Sequence, residues 1–402
     1  LFVTADKYPP FRVDVRVLFV DELASRGHEI HWVMPSERPR SRSGVEPLGN
    51  GLAWVGASVA GDSRLAKAAR QLQIFLHDWR AIALLLRNRY DFVQVKDKFI
   101  AGAILLLAAK LTRTLFVYWL AYPFPEAWLD EARSRVGRHP VVAWLRGHLA
   151  RLLLYRLILP QADLVFVQSS AMRDDLASKG IPATRMLPVP MGVSAGVLQS
   201  VDGQRAPGIV SPSVLYLGSM LRVRRLEIIV RAFQRVVRAV PTASLYFVGG
   251  EDKAGIEALR DEAQRLGIAE RVIFTGGLPR EEAFAYVRAA DVCLSPIFPS
   301  PILDVASPTK LVEYMALGKP VIANDHPEQT QVLDASGGGL HVPWDEARFA
   351  DAMISLLTTP ALAAEMGRKG RAYVARHRSY SVIAEHVAEA YLSMLKASGA
   401  AV

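Results

Sequence analysis

Apolar residues along the chain recur in two alternating rhythms: short unbroken blocks, and longer stretches in which every third or fourth position is apolar. The blocks predict strands buried on both faces and the longer rhythm predicts helices, an alternation that builds βα units around parallel sheets. Leu1-Phe2-Val3 opens the first unit; Val13, Val17, Val20 and Ala24 follow at helical spacing, Gly27 stops that helix, and Ile30 to Met34 form the next strand. Further strands are expected at Phe92 to Val95, Leu115 to Tyr118 and Leu164 to Val167. The pattern restarts with strand Val214 to Leu217, a helix with Leu226, Ile229, Val230, Phe233 and Val237 on one face, and strand Ser244 to Val248. Val272 to Thr275, Val292 to Ser295 and Pro320 to Ala323 continue it, and Tyr380 to Leu395 is a last helix. A Gly-, Ser-, Gln- and Pro-rich stretch from Ser194 to Pro212 has no period and reads as a connection. The expected architecture is α/β, with two Rossmann-like doubly wound domains at 1–195 and 196–379 and a closing helix, 380–402, packed back toward the first.

At 402 residues the chain can fill two cores of about 200 residues each. Its 48 Lys and Arg against 39 Asp and Glu leave a net charge of +9, which suits nucleic acid, an anionic membrane or a phosphorylated substrate without choosing among them. The single cysteine, Cys293, excludes an intrachain disulfide framework and a Cys-rich zinc site, and fits a reducing compartment. No run reaches the roughly 18 apolar residues of a membrane span. The chain begins at Leu1 inside a strand, so a few residues are expected to precede it, with no export signal. The expected location is cytoplasmic, peripheral at the inner face of the plasma membrane.

Candidate chemistry concentrates at the ends of the strands. In the string from Ser307 to Ala323, Ser307 suits a cap, Pro308 the first helical position, and Gly318 a stop. The first-turn N–H groups of Thr309, Lys310 and Leu311 then form a seat for a diphosphate, and Glu313, one turn on, can accept ribose hydroxyls. Taken alone the string is equally a capped helix with a solvated glutamate; its place after a strand of a second doubly wound domain favours a ligand. Arg222, Arg224 and Arg225 crowd the start of a helix, where its dipole disfavours cations unless an anion binds; the other reading is a basic turn facing water. Gly249 and Gly250, in the run Phe247 to Glu251, give a turn that lets backbone approach a ligand. The chain has no G-x-G-x-x-G, which argues against a dinucleotide enzyme, and no D-x-D pair of the metal-dependent transferases.

In the first half, Asp97 and Lys98 follow one strand, Tyr122 and Glu126 another, and Arg12 lies in the loop after the first; all fall at strand carboxyl ends, where such sheets bind ligands. Asp97, Lys98 and Glu126, with Asp304 of the second half, are the catalytic candidates, and Arg12 and Tyr122 face an acceptor. His28, His77, His326 and His341 show no metal spacing and read as surface or helix-end residues. From Arg133 to Pro160, Arg133, Arg135, Arg138 and His139 precede a leucine-rich helix. On it His148, Arg151 and Arg156 share a face and Arg146 points away, which suits either a membrane contact or a buried helix with snorkelling arginines.

The string from Ser307 to Ala323 resembles the donor-site helix of the family 4 retaining glycosyltransferases. Phe166 to Val193, with its Gly192-Val193 pair, is similar to the end of that family's first domain. Phe274-Thr275-Gly276 and Asp291 to Pro296 stand where the family has its last donor-domain strands, so the likeness covers most of the chain. The resemblance implies a GT-B fold, with two Rossmann-like domains facing a cleft. It implies a nucleotide-diphosphate sugar bound by the second domain, an acceptor bound by the first, and retention of anomeric configuration; a basic first domain suits a lipid-diphosphate acceptor, with an oligosaccharide as the other candidate. Donor binding would fall to Gly218, Arg222, Arg224, Arg225, Gly249, Ser307, Thr309, Lys310, Leu311 and Glu313, with no metal and no cofactor besides the donor substrate. The chain departs from the pattern in two places. The first glutamate of E-x7-E falls on Val305, so the sugar-facing carboxylate is either supplied by the adjacent Asp304 or missing. The family's Arg after the first donor-domain glycine is Ser219 here, beside Gly218, so that Arg224 takes the usual Lys position and Arg222 or Arg225 replaces the missing Arg. The expected function is sugar transfer in surface polysaccharide or glycolipid assembly, with no nucleic-acid partner. The rival classes are a nucleotide-sugar epimerase of the same fold and a non-catalytic nucleotide-binding subunit.

Overall fold

The computed structural model describes residues 1–39, 42–61, 63–134, 139–250 and 252–399, with the backbone alone at 64 and 65. Arg135, Arg138 and Glu251, named above, lie outside the described residues. The chain divides into two compact units, Leu1–Pro190 with Tyr380–Val402, and Met191–Ser379.

The first unit is built on eight strands: β1 (Phe2–Thr4), β2 (Trp32–Met34), β3 (Gly44–Leu48), β4 (Gly51–Val55), β5 (Phe92–Lys96), β6 (Leu115–Leu120), β7 (Leu164–Val167) and β8 (Met186–Pro188). Their order is β3-β4-β2-β1-β5-β6-β7-β8, parallel except for the β3–β4 hairpin. Helices cover both faces, so the central strands are apolar without alternation: Val117, Tyr118 and Trp119 are all solvent-free. The hairpin has the opposite character. β3 carries Glu46 and Pro47 at the sheet edge, where a missing N–H does no harm, so no apolar block announces it. The last helix, Tyr380–Ser398, belongs to this unit. Its Tyr391 ring lies 4.8 Å from Phe92 and 5.7 Å from Phe166, and its hydroxyl donates to Gln94.

The second unit carries β9 (Ser213–Leu217), β10 (Ser244–Val248), β11 (Val272–Gly276), β12 (Val292–Ser295), β13 (Val321–Asn324) and β14 (Gly339–Val342), all parallel, in the order β11-β10-β9-β12-β13-β14. One face packs Phe233, Phe247 and Phe349, the other Tyr314, Met315 and Leu333. The division between units falls at Pro190, so residues 191–195, assigned to the first domain from sequence, lie in the second. The cause is packing: Val193 and Val197 join the second unit's core. The stretch read as a bare connection holds a helix, Ala195–Gln199, capped by the Ser194 hydroxyl, and a 3₁₀ turn, Ser200–Asp202.

A buried ion pair closes this unit, with Arg378 donating to Glu328 at 2.7 Å. Removing one partner strands the other charge out of water, so Glu328→Ala is expected to cost about 3–5 kcal/mol, read as the shift of the denaturant midpoint.

Candidate functional site

In an open parallel sheet a ligand binds beyond the carboxyl ends of the strands where the order reverses. In the second unit that point lies between β9 and β12, which are neighbours flanked by β10 and β13. β9 runs into Gly218, whose φ of +142° favours glycine; a Cβ there would stand 2.6 Å from Cε of Lys310. The space is taken by the Lys310 side chain, whose ammonium donates to the Tyr216 hydroxyl at 2.9 Å and sits 4.4 Å from that ring's centre. The Tyr216 hydroxyl donates in turn to the Ser219 carbonyl at 3.0 Å, and Arg224 Nε donates to the Ser219 hydroxyl at 2.9 Å. Burial, reinforced by the like charge of Arg224 and opposed by Glu313, holds the Lys310 ammonium well below its usual pKa.

Lys310 belongs to the helix Thr309–Ala316. The N–H groups of Thr309, Lys310 and Leu311 find no acceptor among the described residues. Leu311 is buried, so only its backbone can serve a ligand. One turn on, Glu313 accepts from Arg280 at 2.9 Å; burial raises its pKa against the pull of that guanidinium. Gly249 (φ +94°) follows β10, its N–H donating to the Gly276 carbonyl at 3.0 Å.

Several sequence expectations need correction here. Ser307 does not cap the helix: Pro308 holds the N-cap position, without a side-chain cap. The Ser307 hydroxyl instead accepts from the Met191 N–H at 2.9 Å and donates to Glu328 at 3.2 Å, tertiary partners that outcompete the local one. Of the three arginines, only Arg224 turns to the Gly218-Ser219 corner. Arg222 is exposed on a 3₁₀ turn, and Arg225, in left-handed backbone (φ +52°), reaches the Phe298 ring with 5.7 Å from Cζ to its centre. Asp304 closes a turn with its N–H on the Ser300 carbonyl at 2.9 Å, and its carboxylate takes no hydrogen bond among the described residues. That turn is anchored by His326, which is buried, pairs with the Leu303 carbonyl at 2.8 Å and caps the helix Pro327–Ser336. His326 is thus an internal strut, a role its sequence setting did not suggest. Arg280 and the Lys310 side chain are the residues that sequence reasoning missed; Arg280, at the start of the helix after β11, stands at the same carboxyl edge as the others.

In the first unit the order reverses between β1 and β5. The loops after these strands wall a cavity of about 690 Å³, lined by Arg12, Asp97 and Lys98 together with Asp6, Asp78, Lys96 and Arg146. Arg12 donates to both Asp14 oxygens, at 3.0 and 2.7 Å, and lies 3.7 Å from Asp6; Lys96 donates to Asp6 at 2.8 Å. Burial works against the Arg12 charge, but Asp14, Asp6 and Asp97 outweigh it and raise its pKa. Asp14, equally against burial, is held down by Lys96 and Arg12. Asp97 adopts left-handed backbone (φ +55°), and its Oδ1 accepts from the Ala121 N–H at 3.0 Å. Burial pushes it up to about 6, against the pull of Lys96, that N–H and Arg12. Lys98, lowered by burial, pairs with Asp78.

Tyr122 and Glu126 do not line this cavity. The helix Phe124–Ser134 turns Glu126 toward the Tyr155 hydroxyl, which donates to it at 2.9 Å, and toward Lys179 at 3.9 Å, while Tyr122 stands edge-on to Phe124 at 5.0 Å. The helix Pro140–Leu152 keeps Arg146 apart from the other cations, as its wheel has it. Arg146, the residue out of line with the other cations, points into the cavity and stacks 3.7 Å from the Trp128 ring centre, because Gly147 and Ala150 pack the helix inward. Val141, Val142, Trp144, Leu145, Leu149 and Leu152 are left between 50% and 69% exposed. Asp6 and Lys96 stood at strand ends and could have been found from sequence; Asp14 and Asp78, inside helical segments, carried no signal.

Among proteins of known kind, the family descriptions "Glycosyl transferase 4-like domain" and "Glycosyl transferases group 1" match residues 17–192 and 211–359. The chain is 32% identical over 272 residues to a GDP-mannose-dependent alpha-(1-6)-phosphatidylinositol monomannoside mannosyltransferase of Mycolicibacterium smegmatis, covering 63% of this chain and 70% of that protein. Among solved structures it is similar to sucrose-phosphate synthase from Thermosynechococcus elongatus, with a TM-score of 0.69 and 20% identity over 98% of this chain and 99% of that one. It is also similar to HepE of Anabaena, solved with UDP-glucose, with a TM-score of 0.64 and 15% identity over 98% and 99%. The two parallel-sheet units therefore have the GT-B fold, and the chain is a glycosyltransferase. It belongs to the group 1 glycosyl transferases.

Proposed function

We propose that the chain moves a sugar from a nucleotide-diphosphate sugar, bound by the second unit, to a lipid-linked acceptor whose polar head enters the first unit's cavity, retaining anomeric configuration without a catalytic metal. The observation that carries the donor half is the convergence of Arg224, Lys310 and the open N–H groups of Thr309 to Leu311 at the switch point, with Glu313 one turn away. Cations and a helix N-terminus are what a leaving diphosphate needs as charge develops on it, the part a metal plays elsewhere. Glu313 holds the ribose, and Asp304 faces the sugar. For the acceptor, a charged floor of Asp6, Arg12, Lys96 and Asp97 beneath an apolar wall of Phe75, Phe99, Trp128 and Leu153 fits an amphiphile. The Mycolicibacterium relative is named for phosphatidylinositol monomannoside. The outward apolar residues of the helix Pro140–Leu152 suit a peripheral membrane contact at the cytoplasmic face.

The test is calorimetry of UDP, GDP, ADP, dTDP and their sugars in chelator, on the wild type, Glu313→Ala and Arg224→Ala, with sedimentation on anionic vesicles at low salt. One nucleotide is expected to bind without metal and to weaken by about tenfold or more in each variant, since each loses charge-assisted hydrogen bonds. Binding that requires a divalent ion, or equal affinity in both variants, rules out this donor site; no sedimentation rules out the membrane contact. The anomeric proton coupling of the product reports retention or inversion.

A further inference from the structure

The amino edge of the second unit's sheet holds a cavity of about 360 Å³ that the donor seat does not use. Lys319 lies just before β13 and Gly218 just after β9, in parallel strands, so about 13–17 Å of strand separates the two regions. The wall carries Arg205, Arg288, Lys319, Arg368 and Arg371 against one carboxylate, Asp202. Backbone carbonyls account for two of these cations. Arg288, buried, donates to Gln204 at 2.7 Å and Ser200 at 3.3 Å, and Arg371 donates to Leu198 at 2.9 Å while its buried Nε has no partner among the described residues. The side chains of Arg205, Lys319 and Arg368 make no hydrogen bond or ion pair among the described residues. The carboxyl end of the helix Thr309–Ala316 attracts cations, but one helix end is worth about half a charge and does not balance this set.

The arrangement is built rather than splayed. At Gly367 a Cβ would stand 2.1 Å from the Gly318 carbonyl, so the helix Pro360–His377 seats directly on the turn before β13 and brings Arg368 and Arg371 beside Lys319. Burial and the charge of Arg205 lower the Lys319 pKa, a cost that an anion between them would relieve. The volume lies within the range of small-ligand sites.

We propose that this cavity is a second anion site, binding a small phosphate-bearing ligand independently of the donor seat. The test is calorimetry of inorganic pyrophosphate on the full chain, with the donor seat saturated by the nucleoside diphosphate it prefers. It is run on the wild type, the double variant Arg205→Ala with Arg368→Ala, and Lys319→Gln. Pyrophosphate is expected to bind the wild type and to weaken by roughly tenfold or more for each cation removed, with nucleotide affinity unchanged and thermal unfolding no lower than in the wild type. Loss of pyrophosphate binding when nucleotide is present, or equal binding in the variants, overturns the proposal. So does capture by vesicles bearing phosphatidylinositol 4-phosphate without any pyrophosphate binding, which gives the patch to a lipid surface.

Discussion

Lys310→Met is expected to lower kcat by about 10²–10³-fold while making the ligand-free protein more resistant to unfolding. Methionine keeps the length and apolar stem that fill the space above Gly218, so the change isolates the charge. That charge is poorly placed without ligand: the ammonium is buried, shares its corner with Arg224, and among the described residues donates only to the Tyr216 hydroxyl. Its folded pKa lies below the ordinary 10.5, so the folded state binds its proton less tightly than the unfolded chain. The resulting penalty is fully present below the folded pKa and disappears as pH rises to 10.5. Wild type and variant should therefore differ most in Tm at pH below that folded pKa and converge as pH rises toward 10.5. A diphosphate reverses the sign, because a buried cation in a low-dielectric corner stabilises the charge that grows on the leaving group. A variant with kcat within a few-fold of wild type and a lowered Tm would make Lys310 a packing residue.

The same corner shows which parts of the site sequence could convey. The strands bordering it were readable because a parallel strand covered on both faces is a continuous apolar run, as in Ser244–Val248 and Val292–Ser295. Strands without that cover were not: β14 carries a glycine and His341, and β3 an edge proline. Backbone features tied to position, such as the open N–H groups of the helix Thr309–Ala316 and the glycine after β9, were legible because secondary structure alone sets them. Side-chain direction was not. Ser307 obeys local capping grammar and still gives its hydroxyl to Met191 and Glu328, and three neighbouring arginines diverge because Arg225 takes left-handed backbone. In the first unit the strand-end rule found Asp97, Lys98 and Arg12 but missed Asp14 and Asp78, which reach the cavity network from helical segments. It also brought in Glu126, which a helix turns away.

Asp97→Asn is expected to lower kcat/KM for the acceptor by about 10²–10³-fold and to abolish the acidic limb of the pH profile. The substitution preserves the fold locally. Asparagine tolerates the left-handed backbone better than other side chains, and its carbonyl oxygen can keep the hydrogen bond from the Ala121 N–H. What it removes is a carboxylate that burial pushes up to about 6, beside Lys96 and Arg12, in the cavity proposed for the acceptor head. An ionised Asp97 can accept the hydroxyl proton of an acceptor or hold that hydroxyl in place; a protonated one cannot. The wild-type rate should thus fall as pH drops through about 6, and the variant should be slow and flat across that range. Stability runs the other way. Because the folded pKa exceeds the ordinary 3.8, this group favours the fold most at low pH and loses that advantage as pH rises from 3.8 through about 6. At pH 7 the burial of the ionised form costs up to about 3 kcal/mol, less whatever solvent reaches it, and the variant should recover part of this as a higher Tm. Lower activity above pH about 6, together with a gain in stability that grows from pH 3.8 through about 6, distinguishes a carboxylate kept for acceptor chemistry from one kept for packing, whose replacement would change Tm while leaving the pH–rate profile in place.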